Sequence, residues 1–237
     1  MRAVLALITA LAALWGTGCD RLPGRPDPAE RYRRPSEILD FATLYSRNCS
    51  ACHGAQGKLG PAQPLADPVY LAYVGPARLR QIAAEGVAGT PMPAFAQAEG
   101  GLLTDAQLDA LMHGSFERWG NASQVEGVSL PAYDQSASGA AGIAPGGAER
   151  GDQAFAAFCA HCHGADGSGG AKGGSIVDPD FLALVSDQML RTSVVAGRPE
   201  LGMPDWRQAG KRPMTQQEIN DVVAWMMARR TRLPKPR

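Results

Sequence analysis

The sequence has no excess of charge of either sign. Its 237 residues include 23 Lys and Arg side chains and 23 Asp and Glu side chains, so the formal net charge is zero. A protein that binds nucleic acid carries a basic patch, and we find no local patch of that kind. The charge balance therefore gives no support to nucleic acid as a partner.

Long apolar runs are also absent. The N-terminal run, residues 3–15, is shorter than the stretch of about 20 residues that a transmembrane helix needs. With Arg2 before it and small residues after it, the run predicts a signal peptide over residues 1–18. The sequence Gly-Thr-Gly-Cys resembles a bacterial lipobox and predicts that Cys19 carries a lipid. An ordinary cleaved signal and an uncleaved anchor are the alternatives, and all three direct the protein across the inner membrane.

Two segments have the composition of linkers. Residues 19–35 are rich in Pro and Arg and predict a membrane tether, whose Arg cluster is either solvated or close to anionic headgroups. Residues 120–147 are mostly Gly, Ala, Ser and Pro without periodicity, and they predict a flexible linker. These segments set off two predicted domains, residues 36–119 and residues 148–237.

Cysteine is scarce, and four of the five cysteines belong to two copies of Cys-x-x-Cys-His. The copies are Cys49, Cys52 and His53, and Cys159, Cys162 and His163. They are related by an offset of 110, and the segment at residues 66–74 matches residues 177–185 at an offset of 111. A repeat that extends over this length indicates a tandem duplication of one domain.

Helical signals recur within each copy. Ser36 is predicted to cap a helix that ends near Cys49, and residues 148–158 are predicted to form its equivalent. The last helix of each copy begins with a capping box, at Thr104 and at Thr215. No run alternates with period two for long enough to predict a strand. We therefore predict an all-α fold.

Cys-x-x-Cys-His is the signature of covalent haem c attachment, in which two thiols bind the haem vinyl groups and the adjacent imidazole ligates the iron. Zinc is an alternative only if the two copies pair to supply four ligands. A thioredoxin-like redox site is a second alternative, but it requires a βαβ setting that the sequence does not predict. Two haem c groups are the cofactors that the duplicated motif predicts.

Each half resembles a class I c-type cytochrome, and the whole chain resembles a tandem dihaem cytochrome c of the membrane-anchored lipoprotein type. The resemblance implies that a methionine between the haem motif and the last helix is the sixth iron ligand. Met92 follows His53 by 39 residues and Met203 follows His163 by 40, so the resemblance assigns these two methionines. The competing methionines lie on or beside predicted helices: Met112, Met189, Met214, Met226 and Met227.

The resemblance also implies a proline carbonyl that holds the haem-ligating imidazole through Nδ1–H. Pro61 and Pro64 are the candidates in the first half, whereas Ser175 aligns with Pro64 in the second. Arg80 and Arg191 occupy matching positions and either pair with haem propionates or lie on a solvated helix face.

Four other side chains have assigned expectations. Phe95 and Trp206 are expected to pack on the methionine loop or haem edge, with core packing as the alternative. His161 is expected to be a polar surface residue. His113 as a second histidine ligand would require the displacement of Met92.

A His/Met iron has no open coordination position, so the resemblance implies an electron-transfer protein without catalytic residues. The expected place is the periplasmic side of the inner membrane, with a lipid anchor. The expected partners are redox proteins or a membrane respiratory complex that oxidises quinol or reduces the terminal acceptor. A dihaem enzyme, peroxidase-like or thiosulfate-oxidising, is the alternative. Whether the two domains dock or move independently stays open at this point.

Overall fold

A computed structural model describes residue 27, residues 32–134 and residues 143–230. The predicted signal peptide and the lipidation candidate Cys19 lie outside these residues. The chain divides into two units, residues 1–37 and residues 38–237. In the described part of the first unit, a short 3-10 helix spans Pro35–Glu37 and Arg34 pairs with Glu37 at 2.6 Å.

Within the described residues, the second unit contains two sets of five α-helices and no β-strand. The first set is α1 Phe41–Asn48, α2 Ser50–His53, α3 Pro68–Val74, α4 Pro76–Glu85 and α5 Asp105–Trp119. The second set is α6 Ala148–Phe158, α7 Ala160–His163, α8 Pro179–Leu184, α9 Asp187–Ala196 and α10 Gln216–Met227. The predicted all-α fold of two repeated domains is confirmed.

The last helix of each half begins as the sequence predicts. The hydroxyls of Thr104 and Thr215 each accept a hydrogen bond from the third helical N–H, and the side chain of that residue bonds back to the cap. On α10 the apolar stripe is buried, with Ile219 and Val222 fully enclosed. The predicted start of α1 is wrong, because Asp40 rather than Ser36 is the cap. The Asp40 carboxylate accepts from the Thr43 N–H at 2.7 Å.

The first and last helices of each half cross at a glycine. In the first half Gly114 of α5 faces Phe41 of α1, and in the second Gly151 of α6 faces Trp225 of α10. The large and small residues have exchanged helices between the halves. The crossing matters for the site, because α1 and α6 end directly at the two haem-attachment motifs.

The two halves pack against each other within the second unit. Helix α3 contacts α9, and the core cluster that contains Tyr70 and Leu71 of the first half also contains Leu190 and Val194 of the second. A hydrogen bond of 3.3 Å from Ser193 Oγ to Gln63 Oε1 crosses this contact. The halves are therefore docked.

The part of the linker before residue 135 contributes to this contact. Tyr133 packs on Tyr73 of α3 with ring centroids 5.0 Å apart, and the Tyr73 hydroxyl donates to the Tyr133 carbonyl at 3.2 Å. Arg78 of α4 pairs with Asp134 at 3.0 Å. On the side of the second half, Arg191 donates to the Ala132 carbonyl. Residues 132–134 thus contact both halves.

Candidate haem-binding sites

The two attachment motifs have the same local geometry. Cys49 ends α1 and begins α2 with φ −119° and ψ −35°, and Cys159 does the same between α6 and α7 with φ −119° and ψ −34°. Each cysteine N–H bonds the carbonyl four residues earlier, that of Tyr45 at 2.9 Å and that of Phe155 at 2.8 Å. The short helices that follow carry the second cysteine and the histidine of each motif. The repeated sequence therefore adopts the same backbone conformation in both halves.

Both imidazoles are held by a backbone carbonyl. His53 Nδ1 lies 2.7 Å from the Gln63 carbonyl oxygen, and His163 Nδ1 lies 2.8 Å from the Gly174 carbonyl oxygen. A carbonyl can only accept, so each Nδ1 carries the proton and each Nε2 keeps its lone pair for a metal. Burial lowers the pKa of His53, which favours the neutral ring that ligates iron.

The carbonyls come from unexpected residues. The prediction that Pro61 or Pro64 supplies the acceptor is wrong, because Gln63 does. Gln63 and Gly174 precede the aligned residues Pro64 and Ser175. The loop backbone is thus shared by the two halves although the proline is not.

The leading cysteine of each motif is a thiol of low intrinsic reactivity. The four cysteines within the described residues are free, and burial raises the pKa of Cys49 to about 11 and that of Cys159 to about 12. Thiol–disulfide enzymes need the opposite shift, toward a thiolate at neutral pH. The thioredoxin-like alternative therefore loses its chemical basis, since both leading cysteines stay protonated.

The methionine loops also repeat. Met92 and Met203 are half-buried and lie outside the helices, between the fourth and fifth helix of each half. Each loop lies against a glycine of positive φ: a Cβ on Gly86 would lie 2.8 Å from the Met92 oxygen, and one on Gly197 would lie 2.6 Å from the Met203 oxygen. Glycine at these positions permits the close approach of the loop to the helix end.

One cavity of about 1020 Å³ includes the residues of both motifs. Ordinary ligand pockets enclose about 300–1,000 Å³, so this cavity is large. Apart from the two motifs, its lining includes Met92 and Met203 and apolar side chains such as Leu79, Phe95 and Val194. An apolar cavity, two thiol pairs and two oriented imidazoles form a donor set that fits two haem c groups.

The other side chains that the sequence singles out have varied surroundings. Trp206 is buried in the core, and His161 is exposed and lines the cavity. His113 is 84% exposed on α5 and does not line the cavity. Arg80 binds two carboxylates of α5, and Arg191 is fully buried. Neither arginine lies on a solvated face without partners, and neither lines the cavity.

In residues 32–134 and 143–230, no three His, Cys, Asp or Glu side chains lie close enough together to hold a metal ion, so these residues offer no site for the zinc alternative. None of the helices described in these ranges is long and apolar enough to cross a membrane.

The repeated helices and attachment motifs define the molecule as two cytochrome c domains in tandem. The sequence matches the family described as cytochrome c oxidase, cbb3-type, subunit III, over residues 36–113 and 146–226. These segments cover more than half of the chain, and the chain belongs to this family. Membership identifies haem c as the cofactor and electron transfer as the general activity. A search of curated proteins finds no match.

The sequence did not predict the cavity that the two motifs share, or the carbonyls of Gln63 and Gly174 as the partners of the imidazoles. The cavity depends on the docking of the halves, which no local pattern encodes. The carbonyl acceptors had a usable signal in the sequence, because the two loops align at an offset of 111 although the second lacks the proline.

Proposed function

We propose that this protein is a membrane-anchored dihaem cytochrome c that transfers single electrons on the periplasmic side of the inner membrane. The observation that carries the proposal is the repeated pair of Cys-x-x-Cys-His motifs, each with a carbonyl-oriented imidazole, opening into one cavity with Met92 and Met203. Each half holds one haem c.

The residues have separate roles. The four motif cysteines would form the thioether bonds to haem c, and His53 and His163 would each ligate the iron through Nε2. Met92 and Met203 would each supply a further ligand to the iron through sulfur. When bound, the haem iron supplies a one-electron couple, and a methionine ligand sets it at a higher potential than a second histidine would. With one histidine and one methionine of the chain on each iron, no coordination position would be left for a substrate.

The shared cavity supports electron exchange between the halves. The contacts of α3 with α9, and those of Tyr133 with Tyr73 and of Ala132 with Arg191, hold the two sites in a fixed relation. A fixed relation removes the need for a domain movement before each transfer. The protein in this proposal is a two-site relay rather than two tethered carriers.

The proposed anchor and partner rest on the sequence and the family. The lipobox-like segment supports a lipid on Cys19, and haem c attachment after export supports the periplasm. The family name supports a place as a subunit of a terminal-oxidase complex, where the partners are membrane redox proteins. A place in a quinol-oxidising complex would require the same single-electron transfer.

Paired ligand variants test the haem assignment. We expect Met92→Ala and Met203→Ala each to remove about half of the methionine-to-iron charge-transfer absorption of the oxidised protein, because each removes one of two equivalent ligands. Met227→Ala, at the end of α10 and outside the cavity lining, is the matched control and should leave the band intact. A wild-type protein with one high-spin haem would favour the dihaem-enzyme alternative instead.

Fractionation tests the anchor and the complex. Wild-type protein should sediment with membranes and copurify with an oxidase after detergent extraction, whereas Cys19→Ser should be released with the soluble periplasmic fraction. Release of the wild-type protein by osmotic shock would contradict the anchor.

A further inference from the structure

Two matched arginines have opposite electrostatic surroundings. Arg80 of α4 donates from Nε to Asp109 at 2.6 Å and from Nη2 to Asp105 at 2.8 Å, both on α5. The equivalent arginine, Arg191 of α9, faces α10, where the corresponding positions carry Asn220 and Gln216. Each carboxylate of the first half is therefore an amide in the second.

Arg191 is fully buried, and its hydrogen-bond partners within the described residues are uncharged groups. Its Nε and Nη2 donate to the Ala132 carbonyl at 3.2 and 2.9 Å, and Nη1 donates to Asn220 Oδ1. Within residues 32–134 and 143–230, no Asp or Glu forms an ion pair with it. These partners are neutral, so they satisfy the donors without cancelling the charge. Burying a cation without a counter-charge costs free energy on folding, so the buried charge of Arg191 calls for an explanation.

The charge belongs to the helix that leads into the methionine loop of the second half. Leu190 and Thr192, the neighbours of Arg191 in α9, line the shared cavity, and Gly197 at the end of α9 lies against Met203. A charge in a dry interior acts over a longer range than one in water. The Arg80 side chain is 36% exposed and pairs with two carboxylates, so its charge is screened by water and neutralised by its partners.

We propose that Arg191 raises the reduction potential of the haem held by the second half, and so directs electrons from the first half to the second. This inference rests on the haem-binding function proposed above. In the favoured step the haem held by His53 would be oxidised from ferrous to ferric, and the haem held by His163 would be reduced from ferric to ferrous. One electron moves and no proton or ligand is exchanged. Reduction adds negative charge to a site, and a nearby uncancelled cation stabilises it.

The test is an isosteric exchange at one pair of equivalent positions. Asn220→Asp supplies the missing carboxylate to Arg191 without changing side-chain volume, and Asp109→Asn is the reciprocal control at Arg80. The midpoint potentials of both haems are measured by optical redox titration of the full protein at pH 7. The signals are assigned with the methionine-ligand variants.

We expect Asn220→Asp to lower the second-half potential so that the equilibrium constant for transfer to that haem falls at least tenfold, which corresponds to about 59 mV for one electron. Asp109→Asn should change that constant less than twofold, because Arg80 is partly in water. Arg191→Gln should act like Asn220→Asp, and Arg191→Lys should stay near wild type. If Arg191→Gln fails to fold, the isosteric variant still decides.

An unchanged or higher second-half potential in Asn220→Asp, with both haems bound, would overturn the proposal. A wild-type protein without two methionine-ligated haems would instead refute the proposed function.

Discussion

We expect Gly114→Ala to push α1 away from α5 and to destabilise the first half. A Cβ at Gly114 would lie 2.3 Å from Phe41 Cδ2, 2.6 Å from Cγ and 2.9 Å from Cβ. The last contact is next to the α1 backbone, so rotation of the ring alone cannot relieve it. Because α1 ends at Cys49, its displacement also moves the first haem-attachment motif.

Opposing effects set the size of the change. Overpacking a well-packed contact costs about 1–3 kcal/mol, and replacing a helix-interior glycine by alanine returns about 1 kcal/mol. The expected net loss in the free energy of unfolding is therefore up to about 2 kcal/mol. Truncating the buried ring by Phe41→Ala should cost about 3–5 kcal/mol, and in that background Gly114→Ala meets no ring.

Denaturant unfolding of the four haem-loaded proteins completes a double-mutant cycle. The double variant should lose less than the sum of the single losses, with a coupling energy of about 0.5–3 kcal/mol. Additive losses, or a Gly114→Ala variant stabilised by the full propensity gain, would refute the steric reasoning.

Three further predictions concern other contacts. The hydrogen bonds and charge of Arg212 lower the pKa of Glu218 to about 2. The pair therefore contributes to the free energy of unfolding above the unfolded pKa near 4.5, and this contribution is lost as the pH falls through about 2. Arg212→Ala should make the free energy of unfolding, measured by denaturant titration, less dependent on pH in this acid range. Trp225→Phe should cost about 0.5–1.5 kcal/mol in thermal unfolding, because the indole N–H donates to Asp152 at 3.0 Å, and an unchanged melting temperature would contradict this. Tyr133→Ala should speed proteolytic separation of the halves and cost at least about 0.5 kcal/mol, and an unchanged cleavage rate would mean that this ring does not hold them.

The local features of the fold were predictable because short-range chemistry specifies them. The capping boxes at Thr104 and Thr215 and the stripe on α10 formed as their patterns predict. The start of α1 was missed because Ser36 and Asp40 are both good caps. Asp40 is the cap because its carboxylate accepts from Thr43 N–H.

The long-range features were not predictable from one sequence. Residues 120–147 have the composition of a flexible linker, yet Tyr133 packs on Tyr73 and the Ala132 carbonyl receives Arg191. These contacts exist only once the halves have docked, and docking depends on the surfaces of α3 and α9 together. The environment of Arg191 also depends on docking. Arg191 is fully buried, whereas Arg80 at the matching position of the first half is partly exposed.

The mass of the intact purified protein tests the central claim most directly. The account predicts the mass of the processed chain plus two haems, with fragmentation placing one haem on the peptide of Cys49 and Cys52 and the other on the peptide of Cys159 and Cys162. A chain that carries one haem or none when the cell's haem c maturation system is active would contradict it.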